Sequence, residues 1–196
     1  MAGVDCWDET RDAKRYDGPH PVVAHPPCGP WSRLSFLCTK QDASCAPRAV
    51  EQVRRFGGVL EHPQASQLWR ACRLPRPGEL PDEYGGRSYE VMQVAWGHAC
   101  KKPTWLYVVG VDAELVASGI RTGGTPTHRI TCGPRGEALR SASAKVARLS
   151  PPAFAQWLVD LARASRVDAP KRRSTSASVH LPTRRPTRPR QAAARP

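Results

Sequence analysis

The sequence predicts an α/β domain: a small, mostly parallel sheet of minimal Rossmann-like type with flanking helices, followed by a disordered tail. Three observations lead there. Residues 21–63 read as strand, loop, helix, strand, the pattern of a parallel pair with its crossover. Thr104–Val111 (TWLYVVGV) is an apolar run rich in β-branched and aromatic residues, as strands are. From Arg166 onward the composition changes to nine Lys/Arg against one acid, Asp168, with five prolines and no aromatic residue. Such a stretch cannot bury enough apolar surface to offset its ordering entropy. The expected division is residues 1–165 for the domain and 166–196 for the tail.

The elements follow in order. Pro21–His25 is a short strand centred on Val22 and Val23, stopped by Pro26-Pro27-Cys28-Gly29-Pro30, which continues neither strand nor helix. Ser32–Ser44 reads as irregular. Pro47–Phe56 is a helix: Pro47 suits its first turn, Val50, Val53 and Phe56 form a stripe, and Gly57 suits its end. Gly58–His62 is a second short strand, ended by Pro63. Gln64–Cys72 reads as a short helix and Arg73–Gly86 as a Pro- and Gly-rich loop. Tyr89–Trp96 and Thr104–Val111 are strands, and Asp112 caps a short helix ending near Gly119. Ser150-Pro151 opens the clearest helix, with Phe154, Trp157, Leu158, Leu161 and Ala162 on one face.

The chain has 196 residues and a formal net charge of +13, which divides into +5 on residues 1–165 and +8 on the tail. No apolar run is long enough for a membrane-spanning helix. The start of the chain, with Asp5, Asp8 and Glu9, has no apolar core of the kind a secretory signal carries, so a cytoplasmic, reducing location is expected. The seven cysteines are odd in number and include no C-x-x-C, so no disulfide framework is expected; Cys6, Cys72 and Cys132 read as small buried hydrophobes. The tail arginines Arg172, Arg173, Arg184 and Arg185 suit a polyanion, most simply nucleic acid, or else form a passive solvated extension.

Two strand ends carry unusual polar groups: His25-Pro26-Pro27-Cys28 and Glu61-His62-Pro63. In an open parallel sheet ligands bind beyond the carboxyl ends of the strands, so both groups face one crevice. A thiol beside a carboxylate is equipped for covalent catalysis with acid assistance. The plainer reading is a cysteine in a turn and a glutamate capping the next helix.

These residues carry a resemblance. VVAHPPC, ending at Cys28 and followed by Ser32, resembles the Pro-Cys loop of cytosine-C5 DNA methyltransferases. GVLEHP around Glu61 is similar to their Glu-Asn-Val segment, and CKKPTWLYVV, from Cys100, to their later basic segment leading into a strand. The three blocks, spread over residues 20–110, also resemble small phage and prophage proteins. The resemblance implies that Cys28 adds to C6 of a flipped-out cytosine, that Glu61 hydrogen-bonds the ring nitrogen, and that S-adenosylmethionine supplies a methyl group to C5. It implies DNA as partner, with Lys101 and Lys102 on phosphate. His25, Trp31, Ser32, His62, His98 and Thr104 are further candidates for the substrate side, with Trp105, His128 and Arg129 beside them.

The chain also departs from that family. No strand and Gly-rich turn for the cofactor precede Cys28, His62 stands where the family has Asn, and Lys101, Lys102 and Thr104 replace paired arginines. The cofactor site is then rebuilt, with Asp5 or Asp12 as its carboxylate, or supplied by a partner subunit. Two other readings stand beside this one. One is a non-catalytic nucleic-acid-binding module, with zinc on His25, Cys28, Cys38 and Cys45, although their spacing matches no standard finger. The other is a different nucleotide-modifying enzyme using the same Cys/Glu pair.

Overall fold

The computed structural model describes residues 3–32, 35, 42–130 and 139–167. The predicted tail from Asp168 on, with Arg172, Arg173, Arg184 and Arg185, lies outside the described residues, as do Cys38, Cys132 and most of 33–41.

The domain is α/β. Its sheet has four strands in the order β1 (Val22–Ala24), β2 (Gly58–Pro63), β4 (Pro103–Val109), β3 (Arg87–Met92). β1 and β2 are parallel, joined through helix α1 (Cys45–Phe56) as the sequence predicts. The expectation of a mostly parallel sheet is corrected by the other two pairings, β2 with β4 and β3 with β4, which are both antiparallel. The reason is the connection between β3 and β4. It is a closed turn over residues 93–102 with no crossover helix, and only an antiparallel pair can be joined that way. Within it Gln93 N–H donates to Lys102 O and Val94 N–H to Lys101 O, both at 3.3 Å. Gln93–Trp96, expected to extend the strand, instead forms a 3-10 turn ending at Gly97.

Strand alternation gives the sheet two apolar faces. Leu60, Tyr107 and Val109 pack against Val50 and Val53 of α1 and against Leu68 and Trp69 of the short helix α2 (Gln67–Ala71). Val59, Leu106, Val108 and Val91 pack on the other side against Val116 of α3 (Ala113–Gly119) and Phe154, Leu158 and Leu161 of α5 (Pro152–Ala164). The predicted stripe on α5 is thus a core face. Asp112 caps α3 by accepting from the amides of Glu114 and Leu115.

The close approach of β1 to β2 depends on Gly58. Its φ is +111°, and an added Cβ would overlap Val22 O and sit 2.6 Å from Val22 N. Between α3 and α5 the chain forms a two-residue parallel pair, β5 (His128–Arg129) with β6 (Arg140–Ser141), and a one-turn helix, α4 (Ala144–Arg148). No helix among the described residues is long and apolar enough to cross a membrane.

Candidate functional site

The carboxyl ends of β1, β2 and β3 and the amino end of β4 lie at one end of the sheet. Here the two predicted strand-end groups meet. His25 Nδ1 lies 2.8 Å from Glu61 Oε2. Gln93, fully buried, donates through Nε2 to Glu61 Oε1 at 3.1 Å and to Thr104 Oγ1 at 3.0 Å. Thr104 in turn donates to Lys102 O. Two acceptors on one nitrogen fix which way the Gln93 amide faces. Glu61 itself is only 9% exposed. Burial alone would raise its pKa; the His25 hydrogen bond, with the positive charges of His25 and Lys102, outweighs this and lowers it. The carboxylate is therefore ionised at neutral pH. It can only accept, so the proton of the His25 bond sits on Nδ1.

Cys28 is on the proline-stiffened loop, just before a 3-10 turn (Gly29–Trp31), the residue as a whole exposed but its thiol partly enclosed by the surrounding protein. Trp31 N–H donates to Cys28 O, and Ser32 closes the turn through N–H and Oγ, both to Gly29 O. The loop is fastened to α2 by Ser66 Oγ–H to Trp31 O and Gln67 Nε2–H to Ser32 O. Burial of the thiol pushes the Cys28 pKa up and the Glu61 charge adds to this, while Lys102 and Arg148 pull the other way without prevailing. Lys102 is shifted down, by burial first, with Glu61 and Cys28 opposing. Its Nζ donates to Leu149 O at 2.7 Å. Cys28, Glu61, His25, Lys102 and Arg148 thus share one electrostatic neighbourhood. Arg148 and Gln93 were not among the sequence candidates. Gln93 had a signal, being a lone amide in an apolar run, whereas Arg148 had none.

Other candidates are held elsewhere. His62 follows Glu61 but points to the opposite sheet face, 1% exposed, with its ring 6.5 Å from Trp69. Burial pushes its pKa down to about 4, against the raising effects of Glu61 and the Pro27 carbonyl, and neither ring nitrogen has a hydrogen bond of ordinary geometry. His98, 5% exposed, binds the Cys100 backbone through Nδ1. Thr104 is fully buried. These three are packed inside, so they support the site rather than face a substrate. Trp31 and Trp105 pack against the α1-side core, and Trp105 Nε1–H donates to Glu90. Lys101 is exposed.

Along the free edge of β1 runs a broad cleft of about 1440 Å³ that reaches His25, Pro26 and Pro27. Asp5 and Asp12 line it, as a cofactor-side carboxylate would. Asp5, however, already accepts from Arg11 and Trp7, and Asp12 caps a turn through the Lys14 amide. Gly18 and Gly57, just before β1 and β2, are engaged in the same way. A Cβ on Gly18 would strike Phe56 and one on Gly57 would strike Ser165 and Val167, so these glycines serve packing of the chain on itself. Asp5, Asp12, Gly18 and Gly57 are thus each engaged within the chain itself. Among them no group of three or more His, Cys, Asp or Glu is arranged to hold a metal ion. No family model, no curated protein and no solved structure matches the chain.

Proposed function

We propose that this chain is a DNA-modifying protein of the cytosine-C5 methyltransferase kind, with Cys28 as nucleophile and Glu61 as the group that holds the base. The observation that carries the reading is the convergence of the Cys28 loop and the buried, ionised Glu61 at one end of the sheet.

The chemistry follows from the groups. Cys28 first gives its proton to solvent. The thiolate then forms a bond to C6 of an extruded cytosine, and the C5–C6 π electrons move into the ring. Glu61 accepts a hydrogen bond from the exocyclic amino group; N3 takes up a proton from water as negative charge builds there, and the ionised Glu61 carboxylate then accepts from N3–H. His25 and Gln93 keep the carboxylate from turning. C5 is now nucleophilic. S-adenosylmethionine would supply a methyl group to such a carbon, but the chemistry assigned to this chain stops at the adduct.

An adduct that forms and reverses leaves a mark without any methyl donor. C5 takes up a proton from water and loses its original one as the thiolate leaves. We expect deuterium to enter cytosine C5 of DNA incubated with the protein in heavy water, read by nucleoside mass spectrometry and abolished in Cys28→Ala. Parallel digestion of DNA from cells making the protein should give 5-methylcytosine only with Cys28 intact. Absence of both exchange and new 5-methylcytosine would overturn the proposal.

A further inference from the structure

The charge of the folded part is confined to one stretch. Residues 1–165 hold 21 basic and 16 acidic side chains. Residues 120–149 hold six of the basic ones and a single acid, Glu137, so the rest of the domain balances to zero. The described part of this stretch contains Arg121, Arg129, Arg140, Lys145 and Arg148, several hydroxyl residues, and no acid. None of the five cations forms an ion pair with a described residue. Arg121, Arg140, Lys145 and Arg148 are exposed, and Lys145 and Arg148 share a face of α4 at i, i+3 spacing.

The stretch is fastened to the candidate site. The amides of Thr127 and His128 both donate to Ala99 O, and Lys102 Nζ donates to Leu149 O. Gly124 lies against the Val94 carbonyl. All three anchors fall on the turn that carries Gln93, the residue holding Glu61. Arg148 is near enough to Cys28 to favour its ionised form. Unpaired cations mixed with Ser and Thr hydroxyls are the groups that contact nucleic-acid phosphates, which set register without reading sequence.

Resting on the function proposed above, we propose that the described residues 121–130 and 139–148 form a phosphate-backbone surface that seats nucleic acid beside Cys28, with Arg140, Lys145 and Arg148 as its exposed contacts.

The test is fluorescence anisotropy with full-length protein and a labelled random-sequence DNA duplex, over 50–200 mM salt. R140Q/K145Q/R148Q should weaken binding by at least ~10-fold and flatten the plot of log K against log salt by about 3, close to one for each phosphate that the variant leaves unneutralised. The weakening should be equal on unrelated sequences. R172Q/R173Q/R184Q/R185Q measures the tail separately, so that a tail-only affinity is recognised. Thermal melting checks that the triple variant folds, and if it does not, K145Q and R148Q are each tested for a slope change near 1. An unchanged slope in folded variants overturns the surface, as does equal competition by polyglutamate, which would point to an acidic polypeptide. A flattened slope with neither C5 exchange nor new 5-methylcytosine from the wild type would retain the surface and reject the cytosine chemistry alone.

Discussion

The sharpest prediction concerns His62 and acid. Its imidazole is 1% exposed, and burial lowers its pKa from 6.5 to about 4. In the unfolded chain the ring binds a proton as pH falls through 6.5, whereas in the folded chain it stays neutral until about 4. Between those values the unfolded state holds more protons, so stability rises with pH across the window and falls on acidification. At 1.36 kcal/mol per unit, the loss relative to pH 8 is about 2 kcal/mol at pH 5 and about 3 kcal/mol near pH 4. That is a large share of an ordinary domain's stability. The assay is urea unfolding followed by tryptophan fluorescence at pH 8, 7, 6 and 5, with m checked for constancy. His62→Gln removes the titrating group and should flatten most of the slope between pH 7 and 5, whatever it does to stability at pH 8. A wild-type midpoint that does not move over this range, or a slope that survives in His62→Gln, refutes the reasoning.

Four further outcomes are expected. Glu61 has its pKa lowered on folding, so it adds stability above its unfolded value of 4.5 that is lost as pH falls through the lower folded value; Glu61→Gln should reduce stability at pH 7 and narrow the gap to wild type in strong acid, read by the same unfolding curves. The Glu61 charge also raises the Cys28 pKa and Lys102 lowers it. Iodoacetamide labelling of Cys28 at pH 7.5, followed by peptide mass spectrometry, should therefore speed up in Glu61→Gln and slow in Lys102→Gln. Gly58→Ala, at φ +111° and against Val22, should cost about 3 kcal/mol or more, whereas Gly85→Ala, at φ +71° with open space around it, should cost only about 1 kcal/mol, the conformational part alone; chemical denaturation compares them. Phe154→Ala empties a fully buried position on α5 and should cost about 3–5 kcal/mol, measured as a shift in the urea midpoint.

The first half of the domain was legible because its signals are local. Pro26-Pro27 and Pro63 mark where β1 and β2 must stop, and Gly57 marks where α1 ends, so the strand–helix–strand unit and its polar ends follow from single residues. The polarity of the last two strands was not legible in the same way. Tyr89–Trp96 and Thr104–Val111 carry apolar patterns that suit either direction, and only the closure of Gln93 and Val94 onto Lys102 and Lys101 decides it. The same closure explains the missed partner of Glu61. Gln93 looked like one more strand residue, yet the turn swings its amide between Glu61 and Thr104. His62 is buried for the complementary reason: adjacent residues in a strand face opposite ways, so with Glu61 at the crevice His62 enters the core beside Trp69. Arg148 reaches the site through the fold of a loop-rich stretch, which no sequence period reports.

The reversal of β4 makes the two ends of this sheet unequal. Every group of the candidate site sits at one end, while the turn before β2, the Pro- and Gly-rich loop leading into β3 and the Gly110–Asp112 corner gather at the other. Around Gly78 and Gly85 in that loop there is open space. Insertions there lengthen the chain away from the chemistry, and loop length itself costs little. Within that loop the exposed segment around Gly78, away from Asp82 and its bonds to Arg54 and Tyr107, is therefore where a tag, a fluorophore or a fused domain belongs. The turn between β3 and β4, carrying both Gln93 and Lys102, has no such freedom.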